Sequence, residues 1–217
     1  MTSQTYTLEE RDEGLTLVAD GMELRASFES KLARLRPNQL NRELLVRAAR
    51  IKRADGRPRA VDATAGLGDD ALLLAAAGFD VRMYECDPVI AALLRDALAR
   101  AATHPELGAI VAHMELFEED SIVALPQLEE QGFAPDVVLL DPMFPSRTKS
   151  AAVKKKFQLL HLLERPCEDE AALMNAARAA HPRKIVVKRP AKGPHLAGQK
   201  PSYALSGKAI RYDCYAL

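Results

Sequence analysis

Residues 60–68 read Ala-Val-Asp-Ala-Thr-Ala-Gly-Leu-Gly, and the fold class follows from this segment. A short apolar run carries Asp62 near its end, and Gly66 and Gly68 stand before a helical pattern over 69–78. Glycines between a strand and a helix permit a tight turn and close approach of a ligand to the backbone. A dinucleotide loop would add a third glycine, as G-x-G-x-x-G. Its absence argues against NAD and favours a nucleoside ligand without a pyrophosphate.

Short apolar strands alternate with helical patterns on either side of this loop. Strands are predicted at 60–63, 81–85, 113–117, 136–140 and 185–188, and helices at 69–78, 88–101 and from Ser121 onward. The alternation predicts an α/β fold whose mostly parallel sheet has helices on both faces. Residues 209–215 read as a further strand, antiparallel, which could pair with a shorter one near Tyr203.

The N-terminal quarter has a different pattern. Within 15–28, alternating segments flank Asp20-Gly21, which is a hairpin signal. Apolar spacing over 41–52 predicts an amphipathic helix, and 52–59 resembles a linker. We therefore expect a small hairpin and helix element over residues 1–55, followed by the main domain over 56–217.

Composition bounds the function classes. The chain has 217 residues, 48% of them hydrophobic but only 5% aromatic, so one domain with a small appendage and an aliphatic core is expected. No apolar run of about 18 residues predicts a membrane span, and no signal core begins the chain, so a cytoplasmic location is expected. Three cysteines and five scattered histidines show no metal-ligand spacing, so no metal site is expected. The net charge of zero counts against a nucleic-acid binder, although basic residues concentrate in the last third.

Acidic residues follow the predicted strands at positions suited to a nucleoside cofactor. Glu85 ends the second strand and could accept both ribose hydroxyls, or it could be an exposed strand-end charge. Asp69 and Asp70 open a helix, where they either stabilise its N-terminus or contact the ammonium of an amino-acid moiety. Asp120 could accept from an adenine amino group, with Ser121 capping the next helix.

The fourth strand ends in the most informative motif of the chain, Asp141-Pro142-Met143-Phe144-Pro145. An aromatic amine is a poor nucleophile because its lone pair delocalises into the ring. Asp141, with a nearby backbone carbonyl, could accept the two amine hydrogens, orient the lone pair and stabilise the developing positive charge. Pro142 constrains the backbone there, and Phe144 could stack on the base. The alternative is an ordinary strand-end turn with a core phenylalanine.

Basic residues follow this motif and close the fifth strand. They could form a solvated surface, or they could neutralise RNA phosphates beside the base-binding edge. The predicted RNA-contacting residues are Arg147, Lys149, Lys154, Lys155, Lys156, Lys188 and Arg189.

These motifs together resemble the bacterial small-subunit ribosomal RNA methyltransferase J family over roughly residues 60–215. The matching segments are 61–68, 81–85, 87–89, 141–145, 149–151, 153–155 and 186–190. The resemblance implies a Rossmann-like class I methyltransferase fold, S-adenosylmethionine as cofactor and methylation of the N2 amine of a guanine in 16S rRNA.

The resemblance also implies the cofactor-contacting positions. They are the pair after the glycine loop, the pairs that follow the second and third strands, and the motif aspartate: Asp69, Asp70, Glu85, Cys86, Asp120, Ser121 and Asp141. The strand end and loop add Asp62, Ala63, Gly66 and Gly68. This chain departs from the family, which often carries Arg at positions 69 and 86 and Ser at 120. Contacts there would then run through the backbone or be arranged differently.

Guanine-N2 methylation of 16S rRNA is the leading hypothesis, with 16S rRNA or the small subunit as partner. Methylation of an adenine or cytosine amine in DNA or another RNA uses the same chemistry, and pocket shape decides between them. A non-catalytic RNA-binding module on the same fold is a third reading, which the presence of Asp141 and Phe144 disfavours.

Overall fold

A seven-stranded sheet forms the centre of the computed structural model, which describes residues 6–19, 21–52, 56–142 and 169–217. Its strands are β4 (Arg59–Asp62), β5 (Asp80–Tyr84), β6 (Met114–Phe117), β7 (Val137–Leu140), β8 (Lys184–Pro190), β9 (Tyr203–Ser206) and β10 (Ile210–Ala216). The strand order is β6-β5-β4-β7-β8-β10-β9. Strands β4 to β8 run parallel, while β10 pairs antiparallel with both β8 and β9. The predicted mostly parallel sheet with an antiparallel C-terminal strand is confirmed.

Helices cover both faces of this sheet. In the main domain they are α4 (Asp69–Ala76), α5 (Pro88–Ala102), α6 (Gly108–Val111), α7 (Ser121–Ala124) and α8 (Glu170–Ala179). Helix α5 starts as its sequence predicts, because the Asp87 carboxylate accepts from the amides of Val89 and Ile90 and Pro88 occupies the first turn. Helix α8 was not predicted from the sequence. The segment from Ser121 is only four residues of α-helix followed by a 3₁₀ turn at Leu125–Gln127.

The N-terminal element contains a three-stranded antiparallel sheet and three short helices. The predicted hairpin is present as β2 (Thr16–Ala19) paired with β3 (Met22–Leu24), and the unpredicted β1 (Thr7–Glu9) pairs with β2. The predicted helix over 41–52 is shorter, α3 (Leu44–Ala49), and is preceded by α1 (Leu32–Leu35) and α2 (Pro37–Leu40).

The N-terminal element shares its core with the main domain. Leu17, Leu24 and Phe28 are fully buried in the same cluster as Leu72 of α4 and Leu94 of α5. Polar contacts reinforce this packing, since the guanidinium of Arg100 in α5 donates to the carbonyl oxygen of Ala26 at 2.6 Å. Burial of this apolar surface stabilises both parts together, at roughly 25 cal/mol per Å². The division at residue 55 stays a prediction.

A second core cluster fills the opposite face of the sheet, where α8 packs against β7, β8 and the 3₁₀ turn at Leu125–Gln127. Strand β7, between the two clusters, is apolar throughout, and all four of its residues are completely buried. This is expected of parallel strands covered on both faces. Within the described part of the chain, no helix has both the length and the apolar character needed to cross a bilayer.

Candidate active site

The carboxyl ends of β4, β5 and β7 bring the predicted acidic residues to one edge of the sheet. Asp62 is the last residue of β4, Glu85 directly follows β5, and Asp141 directly follows β7. Strand β4 lies between β5 and β7. The chain adds β5 and β6 on one side of β4 and then returns to add β7 on the other side, so the strand order switches at β4. Crevices at such a switch point are where open α/β sheets bind ligands.

The glycine loop is held by the Glu85 carboxylate. Glu85 Oε2 accepts from the Gly66 amide and Oε1 from the Asp87 amide, both at 2.9 Å. Burial raises the pKa of Glu85, although the two amide donors act against that shift. Gly66 and Gly68 have φ values of 54° and 77°, the left-handed region that favours glycine. The positive φ at both positions explains why glycine stands there, as the tight turn predicted from the sequence requires.

Packing also disfavours a side chain at position 68. A Cβ there would lie 2.7 Å from Leu94 Cδ1 and 3.2 Å from Phe28 Cζ. Phe28 belongs to the N-terminal element, so that element packs directly against the glycine loop. Next to it, the Lys31 ammonium forms an ion pair with the Asp69 carboxylate. Asp69 thus already has a cationic partner from residues 1–55, a pairing that no local sequence signal indicates.

Asp62 is a buried acid, with only 1% of its surface exposed. Its Oδ1 accepts one long hydrogen bond from the Thr64 amide, 3.3 Å, and Ala63 beside it donates its amide to the Leu139 carbonyl oxygen at 3.0 Å. Burial, with the neighbouring Asp70 carboxylate, raises the pKa of Asp62 to about 8. An acid of this kind can be protonated at neutral pH, and a cationic ligand nearby would favour its ionised form.

Lys188 of β8 joins two of the predicted acids. Its Nζ lies 2.7 Å from Asp70 Oδ2 and 2.7 Å from Asp141 Oδ2. The Asp141 backbone amide donates to Thr64 Oγ1 at 2.7 Å, which ties the motif to the glycine loop. Desolvation raises the pKa of Asp141, and the charge of Lys188 opposes that shift. Two carboxylates therefore share one ammonium at this edge, which leaves an excess of negative charge.

The remaining predicted positions lie at the margin of this site. The prediction that Ser121 caps the next helix is wrong, because the Asp120 carboxylate accepts from the Ile122 amide at 2.9 Å and caps α7, while Ser121 is the buried first residue of that helix. Cys86 is exposed, and desolvation raises the pKa of its thiol. Pro142 is buried directly after Asp141.

Several predicted residues fall outside the described residues, namely Phe144, Arg147, Lys149, Lys154, Lys155 and Lys156. Two predicted RNA contacts are described. Lys188 forms the ion pairs above, and Arg189 is 1% exposed, with its guanidinium donating to Glu170 Oε1 at 3.1 Å and to the Pro194 carbonyl oxygen at 3.0 Å. RNA contact by these two stays a prediction, while their observed partners are protein groups.

The sheet order, the glycine loop and the acidic strand ends define the class: a Rossmann-like, nucleoside-binding methyltransferase fold. A family model of SAM-dependent methyltransferases matches residues 1–217. A ribosomal RNA small subunit methyltransferase J from Neisseria meningitidis serogroup C is 40% identical over 212 residues, 97% of this chain and 84% of that protein. One from Pseudomonas fluorescens is 49% identical over 159 residues, 73% of this chain and 60% of that protein.

A solved structure agrees. The crystal structure of a SAM-dependent methyltransferase from Neisseria gonorrhoeae superposes with a TM-score of 0.77 at 32% identity, covering all of this chain and 84% of that one. The chain belongs to the family of SAM-dependent methyltransferases that includes ribosomal RNA small subunit methyltransferase J. The family, fold and cofactor predicted from the sequence are confirmed.

The residues present fit S-adenosylmethionine. This cofactor carries a sulfonium and an ammonium, and the described edge carries an excess of carboxylates around Lys188. Its adenosine has ribose hydroxyls that need an acceptor, and Glu85 stands at the strand end that can supply one. These carboxylate groups therefore match a cationic nucleoside better than an anionic nucleotide.

Proposed function

We propose that the chain methylates the exocyclic N2 amine of a guanine in 16S ribosomal RNA, free or within the small subunit, in the cytoplasm. The observation that carries the proposal is the Asp141 carboxylate, which follows β7 at the edge where Asp62, Asp70 and Glu85 also lie. The names of its relatives, at 40% and 49% identity, support ribosomal RNA of the small subunit as the substrate.

Asp141 would act directly on the amine. An ionised carboxylate accepts a hydrogen bond from the amine, which directs the nitrogen lone pair out of conjugation and stabilises positive charge on nitrogen. The Asp141 amide is held by Thr64 Oγ1, and its side chain is held by Lys188, so the carboxylate is positioned before substrate arrives. Positioning of this kind removes part of the entropic barrier.

The cofactor would be held by the glycine loop and the surrounding acids. Glu85 would accept from ribose hydroxyls, and Asp62 with Asp70 would supply negative charge for the cationic groups. When bound, S-adenosylmethionine supplies an electrophilic methyl group, whose bond to sulfur breaks with its electron pair as N2 forms the new bond and gives up one proton. The described acids are the groups at this edge that can accept that proton.

Mass spectrometry of rRNA from a deletion strain tests the proposal. The strain should lack one methyl group on one guanine of 16S rRNA, and a plasmid copy of the wild-type gene should restore it. A copy encoding Asp141→Asn, which keeps the side-chain shape and removes the charge, should fail to restore the methyl group. An unchanged guanine set, or a methyl lost from an adenine or cytosine amine instead, would refute the guanine assignment.

A further inference from the structure

The strands place Lys188 and Asp141 as neighbours before any side chain is considered. The parallel register of β7 and β8 pairs Leu140 with Val187, so the next residues along each strand are Asp141 and Lys188. On its other side, Lys188 is paired with Tyr212 of β10. The backbone of Lys188 is thus held from both sides, and only its side chain is free to adjust.

The Lys188 ammonium is shared between two carboxylates at equal distance. Both Asp70 Oδ2 and Asp141 Oδ2 lie 2.7 Å from Nζ, a distance typical of a charge-assisted hydrogen bond. Only one oxygen of Asp141 is engaged in this way. Among the residues that the structure describes, its Oδ1 oxygen accepts no hydrogen bond, so that oxygen remains for a ligand.

A lone carboxylate at this edge would lose part of its charge. Asp70 places negative charge close to Asp141, and partial burial removes water that would stabilise the ion. An acid that takes up a proton accepts hydrogen bonds less well and cannot compensate positive charge on a methylated amine. A nearby permanent cation corrects this.

We propose that Lys188 is a positioning residue for methyl transfer, which keeps Asp141 ionised and holds it through Oδ2 so that Oδ1 faces the amine. The inference rests on the proposed function and deepens it. It reassigns Lys188 from the predicted surface contact with RNA phosphate to a role inside the site. Lys188 acts through Asp141 and does not itself touch the reacting atoms.

The groups that face Asp141 determine the direction of its titration. Lys188 and Arg189 of β8 favour the ionised form, whereas Asp70 of α4 disfavours it. Asp62 of β4 adds a further acid, and Tyr212 of β10 is a buried neutral phenol whose pKa is raised by burial. Desolvation lowers the pKa of Lys188, but Asp70 and Asp141 outweigh it and the net direction is upward, so Lys188 stays charged throughout the working pH range.

The first experiment titrates Asp141 itself in the free protein. Carbon-13 NMR of labelled aspartate carboxyls follows each acid with pH, and the signal absent from Asp141→Asn identifies Asp141. In Lys188→Gln, which keeps a hydrogen-bond donor but removes the charge, the Asp141 midpoint should move to higher pH. In Lys188→Arg, which keeps the charge, it should stay near the wild-type midpoint. An Asp141 midpoint that is the same in Lys188→Gln and wild type would overturn the proposal.

Asp70→Asn provides a second variant with the opposite sign. It removes a neighbouring negative charge, and the Lys188 ammonium then pairs with the Asp141 carboxylate alone. The Asp141 midpoint should therefore move to lower pH. This variant keeps the proposal testable even where Lys188→Gln is unstable, because a midpoint that rises or stays constant in Asp70→Asn contradicts the charge balance described here.

The second experiment measures kcat against pH with rRNA substrate. In Lys188→Gln the acid limb should move to higher pH and kcat should fall by about tenfold or more, the rate equivalent of one charge-assisted hydrogen bond. Lys192→Met, at an exposed lysine four residues further on, is the matched control and should follow the wild type. A wild-type protein without activity on rRNA would refute the proposed function and leave the NMR result standing. Normal activity with an unmoved acid limb in Lys188→Gln would refute the role of Lys188 alone.

Discussion

Replacing Asp62 by Asn should stabilise the ligand-free protein, and increasingly so as the pH rises. The Asp62 side chain is 1% exposed, and its pKa is raised to about 8 from an ordinary 3.8, because burial and Asp70 oppose its negative charge. An acid whose folded-state pKa is raised contributes stability that is full below its unfolded value and is lost as pH rises through the folded value. Asn has the same shape and no charge to bury.

The magnitude follows from this difference in proton affinity. Between the unfolded and folded values, each pH unit costs the wild type a tenfold change in its folding equilibrium, so the full cost above pH 8 is about 6 kcal/mol. Between pH 5.5 and pH 8 the stability advantage of Asp62→Asn should grow by about 3 kcal/mol. For a chain of this length that corresponds to a difference in Tm that widens by roughly 6–12 °C.

Thermal unfolding of wild type and Asp62→Asn, followed by circular dichroism at several pH values, measures this directly. Asp12→Asn is the matched control because Asp12 is exposed, and its difference from wild type should be small at every pH. A stability difference between Asp62→Asn and wild type that does not change with pH would show that Asp62 is ionised in the folded protein throughout, contrary to the reasoning.

Three further predictions concern the loop, the motif and the basic run. Gly68→Ala should destabilise the fold by about 1–3 kcal/mol, because φ is 77° and the new Cβ would meet Leu94 at 2.7 Å. Gly132→Ala, where φ is 68° and the space around the Cβ is open, should destabilise it less. Equal losses of stability for the two variants in chemical denaturation would contradict this. Asp141→Ala should abolish methyl transfer and leave the thermal transition nearly unchanged, and normal turnover would exclude its role. Neutralising Lys154, Lys155 and Lys156 should weaken RNA binding and reduce its salt dependence in filter-binding assays, and an unchanged salt slope would identify an ordinary surface.

Local patterns were sufficient for most elements of the main domain. The strand preceding Asp62, the helix capped by Asp87 and the pairing of residues near Tyr203 with the last strand all lie where the sequence predicts them. Each depends on signals within a few residues: a buried apolar run, a capping carboxylate, a proline in the first turn. The misses have different reasons. Strand β1 is exposed and depends on pairing with β2, which no short window contains, whereas helix α8 (Glu170–Ala179) has a local cap, Asp169, that the prediction from the sequence did not use.

The acids of the site were also predictable, because strand ends and glycine turns mark the edge of a parallel sheet. Their partners were not. Lys188 lies 47 residues after Asp141 and 118 after Asp70, and Lys31 lies 38 residues before Asp69.

The sequence by itself determined which residue types stand at the carboxyl ends of the strands, and so the class of chemistry. Only the tertiary structure decided that Lys188 joins two acids and that Arg189 pairs with Glu170 inside the protein. The physical reason is that an ion pair depends on distance in space, and strand order and register set that distance. A basic residue at the end of a strand has the same sequence signal whether it meets a phosphate in solvent or a carboxylate beside it.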